Sequence, residues 1–161
     1  MATRAILTPL SAEFPSTNFP QLLTVNARPV LGFDATTQES CQWTFLAPQG
    51  LTGTLTAVVS YMMASATTGG IRFDGLVEAV TSGDATDLDA GDSFDTANGA
   101  SDTGVPGTAG YMEQLSITLT NADSIAAGDL VRLRIRRDPA HADDTATGDC
   151  YVLAVEFRDG A

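Results

Sequence analysis

The sequence predicts an all-β fold, an antiparallel β-sandwich of about eight strands, on three observations. From about residue 30 onward, apolar and polar residues alternate with period two, the mark of strands that bury one face. Gly, Pro, Asn and Asp collect between the alternating runs, where turns belong. No stretch sustains a helical period; "NADSIAAGD", residues 121–129, offers one turn and is too short for a stable helix. Strands in series without helices between them close into an antiparallel sandwich.

Each element follows from its own residues. Residues 1–27 carry Pro9, Pro15 and Pro20 among Ser, Thr and Asn, which discourages helix and central strand alike and predicts an extended arm. Ile6, Leu7, Leu10, Phe14 and Phe19 are too many apolar residues for a solvated tail, so the arm is expected to dock on its own domain or on a neighbour. Residues 28–161 form the single domain. "CQWTF" sets Cys41, Trp43 and Phe45 on one face, so Trp43 reads as core. "TLTAVVSYM" aligns Leu55, Ala57, Val59 and Tyr61, and "IRFDGLVEAV" opens with Ile71 and Phe73 against Arg72 and Asp74. "LSITLT" sets Leu115, Ile117 and Leu119 together, and "YVLAVEF" groups Tyr151, Leu153, Val155 and Phe157.

Two stretches depart from this plain pattern. "VRLRIRR", residues 131–137, holds four of the eight arginines of a chain with no lysine and a net charge of −12. Val131, Leu133 and Ile135 share one face, and Arg132, Arg134 and Arg136 the other. Like charges two residues apart on a strand sit about 7 Å from each other, a cost near 0.5 kcal/mol per pair that neighbouring carboxylates easily offset. The expected partners are either cross-strand acids on an outer face or the acidic surface of another subunit, which suits arginine's bidentate head. Residues 82–109 form a long loop, nearly without apolar content and with six aspartates. The spacing of Asp87, Asp89 and Asp92 hints at calcium, but Asp92 and Asn98 stand where a calcium loop needs Gly and an acid. An exposed acidic loop that meets arginines on a neighbour is the favoured reading.

Composition and motifs exclude several functions. A pI near 4.1 argues against a nucleic-acid partner, since phosphate contacts need a basic face. The first residues are too short in apolar run for a signal peptide, and no run is long enough to span a membrane, so a cytoplasmic origin is expected. Cys41 and Cys150 lie in apolar runs and read as buried thiols. His141 stands alone among aspartates and reads as solvated, and no cofactor or metal is expected. Nucleophile-elbow and lysine-bearing phosphate loops are absent. Paired carboxylates for glycoside hydrolysis would have to come from Asp74, Glu78, Glu113 or Glu156 within strands, and nothing demands an enzyme.

Several short motifs resemble those of small phage-encoded jelly-roll proteins. They are "FDA" at Phe33–Ala35, "F-x-x-P" at Phe45–Pro48 and the glycine turn from Tyr61 to Gly69. The set is completed by Ala127–Asp138, with "LRIRRD", and by Asp144–Arg158, with "TATGD" and "VEFR". The resemblance covers roughly residues 30–159 and implies a jelly roll that often assembles as a homotrimer on virions. It implies a structural role, first as a capsid decoration (cement) protein on the outside of a phage head, partnered by the major capsid protein or other virion proteins. The alternative is a fibre or receptor-binding module that recognises host glycans. The lack of a coiled-coil stalk in the sequence favours decoration, with Ile6, Leu7, Leu10, Phe14, Phe19, Arg132, Arg134 and Arg136 as interface candidates.

Overall fold

The structure is a computed structural model that describes residues 1–160. Its strands are β1 (Ala2–Leu7), β2 (Gln21–Val25), β3 (Arg28–Phe33), β4 (Glu39–Leu46) and β5 (Thr56–Met63). They continue as β6 (Ile71–Val80), β7 (Asn98–Asp102), β8 (Glu113–Thr118), β9 (Leu130–Arg137) and β10 (Cys150–Asp159). One sheet has six strands in the order β2-β3-β10-β5-β8, with β1 also paired to β10; the other has four in the order β4-β9-β6-β7. All strand pairs are antiparallel. The result is an all-β sandwich of jelly-roll type, as the alternation predicts.

The inner faces supply the core. Cys41 and Trp43 on β4, Val131, Leu133 and Ile135 on β9, and Ile71, Phe73 and Val77 on β6 pack against Ala57, Val59 and Tyr61 of β5 and Val155 and Phe157 of β10. Phe33 and Phe73 meet edge to face across the sheets, ring centroids 5.5 Å apart, a geometry the ring quadrupoles favour.

Two expectations are corrected and two are made definite. Residues 1–27 are extended and dock on their own domain, one of the two placements expected of the arm. β1 pairs with β10, a 3-10 turn begins at Pro9, and residues 12–19 cross the sandwich to run beside β4. There Glu13 and Gln42 exchange backbone hydrogen bonds of 2.8 and 3.0 Å, and Ser40 N donates to Asn18 O at 3.0 Å. This strap covers β4's open edge, which would otherwise template pairing with another chain. The prolines sit where they cost no ladder bond, Pro9 in the first turn of the 3-10 helix.

In β10 the register shifts between Val152 and Ala154, a β-bulge that inverts the alternation. The core face is therefore Cys150, Val152, Val155 and Phe157, and Tyr151 and Leu153 turn outward. Residues 121–129 form turns and no helix, as their length predicts, and Asp123 and Ser124 are both left-handed, with φ of 50° and 53°. The loop 82–109 contains β7, "NGASD", an edge strand too polar to show alternation. It is held instead by Asn98, which donates to Gly75 O and Asn121 O and accepts from Thr120 and Asn121.

Candidate functional site

The outer face of the four-stranded sheet gathers most of the molecule's paired charge. Register places Arg132 opposite Glu78, Arg134 opposite Leu76 and Arg136 opposite Asp74. Arg132 pairs with Glu78 at 3.2 Å and Asp92 at 2.6 Å; Arg134 pairs with Asp92 at 2.8 Å; Arg136 pairs with Asp74 at 2.7 Å. Arg72 shares Asp74 at 3.1 Å. Arg134 also donates to Gln42 Oε1 at 2.9 Å. Phe94 lies under both guanidinium groups, 4.9 Å from Arg132 and 4.0 Å from Arg134, the attraction of a cation for a ring face.

The loop expected to meet a neighbour's arginines therefore meets its own. Residues 92–95 lie across β9 and β6, anchored by Ser93 N to Glu78 Oε2 and Asp95 N to Val77 O, both 2.8 Å. Asp92 is held below the ordinary carboxylate range, first by the Arg134 hydrogen bond and then by Arg132. The three outward arginines are paired within the chain. Asp92 is not available for the calcium reading, and no group of three or more His, Cys, Asp or Glu among the described residues could hold a metal ion.

Between the strap and this arginine row lies a cleft of about 300 Å³, lined by strap residues Pro15, Thr17 and Asn18, by Gln38, Glu39 and Ser40 of the β4 edge, and by Asp92, Arg134 and Arg136. The interface candidates of the N-terminal segment divide. Leu7 is buried in the core, whereas Ile6 (66%), Leu10 (72%), Phe14 (40%) and Phe19 (43%) are exposed. Phe14 and Phe19 lean together on the strap, centroids 5.7 Å apart. A second apolar surface lies outside the six-stranded sheet, where Val25, Met62, Met112 and Leu153 line a groove of about 500 Å³.

Of the four strand-borne acids with catalytic promise, three are occupied by arginine, and the fourth, Glu113, is exposed and accepts from Gln114 N. Asp74 serves Arg72 and Arg136, Glu78 serves Arg132, and Glu156 pairs with Arg158 at 2.8 Å. His141 Nδ1 accepts from Asp143 N at 3.2 Å and lies 3.7 Å from its carboxylate. Burial pushes both cysteine thiols well above their ordinary range, so neither is a ready nucleophile. The thiols are free and buried.

Sequence reasoning passed over Arg137, the fourth arginine of the run. It is in phase with Val131, Leu133 and Ile135, so it points inward and is fully buried. Its guanidinium meets Asp144 at 2.9 Å and donates to the carbonyl oxygens of Phe33, Asp34, Ala146 and Gly148 at 3.0–3.4 Å. The signal was present in the alternation itself, which puts every odd-numbered residue of the run on the core face.

Other residues of the short motifs tie turns together. Asp34 of "FDA" caps its turn by accepting from Thr36 Oγ1, Thr36 N and Thr37 N, each at 2.7 Å. These bonds, the Thr36 hydroxyl first, hold its carboxyl at about 2. Gly69 has φ +89°, and a Cβ there would lie 2.8 Å from the backbone of Thr145 and Ala146, so only glycine fits. Asp129 ties its own turn through Ala126 N at 2.7 Å and binds Thr81 Oγ1 at 2.9 Å.

No family model and no curated protein matches the chain. Among solved structures, the chain is similar to a carbohydrate-binding module (CBM28) specific for non-crystalline cellulose, at 13% identity and a TM-score of 0.52. The likeness covers 93% of this chain and 89% of that one, and it is a likeness of fold, two antiparallel sheets packed face to face.

Proposed function

We propose that the protein is a non-catalytic structural component of a virion, a capsid decoration protein that binds the outside of a phage head and stabilises capsomer contacts as a homotrimer. One observation carries the reading: the strap's backbone is hydrogen-bonded to the β4 edge at Glu13 and Asn18, while Leu10, Phe14 and Phe19 stay exposed. Apolar side chains held out by a fixed backbone are a docking surface in waiting. The motif resemblance supports the same role, because its residues at Asp34, Gly69 and Asp129 build turns. The test uses heads of the encoding phage lacking this protein. Leu10→Asp combined with Phe14→Asp is expected to keep the melting temperature within a few degrees and to cut head occupancy at least tenfold. Unchanged occupancy overturns the reading. Light scattering checks the trimer, and a monomer both free and on the particle removes it.

Glycan recognition by a fibre or receptor-binding module is the second reading, favoured by the fold shared with a carbohydrate-binding module. Trp43 is 2% exposed and is no platform for a sugar. Any glycan must be held elsewhere.

A further inference from the structure

We propose that the cleft between the strap and the arginine row binds a neutral saccharide. The proposal rests on the glycan-recognition reading, gives it a location, and is independent of shell docking.

The lining has the chemistry of a polyol site. Its volume of about 300 Å³ is at the small end of ligand pockets, roughly 300–1,000 Å³, and suits one or two sugar rings. Arg134 uses Nε and Nη2, and Arg136 uses the same two atoms, so each keeps its Nη1 without a protein acceptor. The side chains of Thr17, Gln38 and Ser40 make no hydrogen bond among the described residues. Asp92 and Glu39 add carboxylate oxygens with lone pairs to spare. Donors and acceptors thus face one space together, as hydroxyl groups require, each hydroxyl being both.

Charge selects an uncharged ligand. The lining holds two arginines and two carboxylates, which cancel, inside a chain of net charge −12 that repels polyanions. The donors are already fixed in place: Arg134 by Gln42, Asp92 and the Phe94 ring, Arg136 by Asp74, and the strap by its bonds to Ser40 and Gln42. A site fixed before binding loses little further freedom when the ligand arrives.

The test is calorimetric titration of the full chain with gluco-, manno- and galacto-oligosaccharides, and with an oligogalacturonate as the acidic probe. Binding of at least one neutral probe is expected, weakened about tenfold or more by Thr17→Ala with Gln38→Ala. Both side chains are exposed and unbonded, so the variant should melt as the parent does. Met112→Ala, on the opposite face, should leave binding unchanged. Binding lost in Met112→Ala and kept in the cleft variant overturns this location while the glycan reading stands. Preference for oligogalacturonate overturns the neutral class. No binding to any probe sinks the proposal and the glycan reading together.

Discussion

Arg134 and Arg137 lie three residues apart on one strand, yet the strand's two faces use arginine in opposite ways. Arg134 faces out with 21% of its side chain exposed, and its partners are a half-exposed aspartate, an amide and a ring. Arg137 faces in with none exposed, and it satisfies a buried carboxylate and four carbonyl oxygens in buried or part-buried bonds. Water stands ready to replace what Arg134 gives up. Nothing stands ready for Arg137. The same residue type is therefore an adjustable surface group on one face and a structural staple on the other.

The largest expected effect comes from the inner member. Arg137→Met leaves Asp144 buried without its cation and should destabilise by about 3–5 kcal/mol in chemical denaturation. Adding Asp144→Asn should recover only part of the loss, because the four carbonyl oxygens still lack their guanidinium donor. Full recovery would reduce the staple to a simple ion pair. Next is Trp43→Phe, which removes the 2.9 Å bond from Nε1 to Thr8 O that ties the turn leading into the strap to the core. A loss of about 1–3 kcal/mol is expected, with faster hydrogen exchange at Ser40 and Gln42 as the signature of a loosened strap.

Arg134→Ala should cost about 1 kcal/mol or less, because exposed ion pairs and ring contacts contribute little. A loss as large as that of Arg137→Met would erase the contrast between the two faces. The smallest effect belongs to acid. Asp34, Asp92 and Glu156 all have folded-state values below their ordinary ones. Their contribution is therefore fully present above the ordinary carboxylate range and fades as pH falls through it, toward about 2 for Asp34. A melting temperature that falls between pH 5 and 2 in the parent, and less steeply in Asp34→Asn, is the expected profile.

What the sequence made legible was local. Alternation in β4, β5 and β9 is set by the two-residue period of a strand, so Trp43, Tyr61 and Leu133 could be assigned to the core one run at a time. The bulge in β10 broke that reading, since one extra residue inverts every position before it without changing composition. β7 was hidden because an edge strand of Gly, Ala, Ser and Asn has no apolar face to announce it. The partners of the arginine row were invisible for another reason. Asp92 is 42 residues from Arg134, and only the fold of the intervening loop brings them to 2.8 Å. Charge content told that acids and arginines would meet, not that they would meet within one chain.

The central strand has a consequence for how the chain is made. β10 joins β1, β3 and β5, which come before it in sequence, and it is the last of the ten strands to be synthesised. Its pairings span most of the chain, as in Ala2 with Asp159, and long-range closure of this kind is slow. Until β10 emerges, β1 has no partner and β3 and β5 each face an empty slot, so the six-stranded sheet cannot form piecewise. Completion of this sheet is thereby deferred until β10 has been made. During that wait the apolar strands depend on the nascent chain's acidic charge to keep neighbouring copies apart.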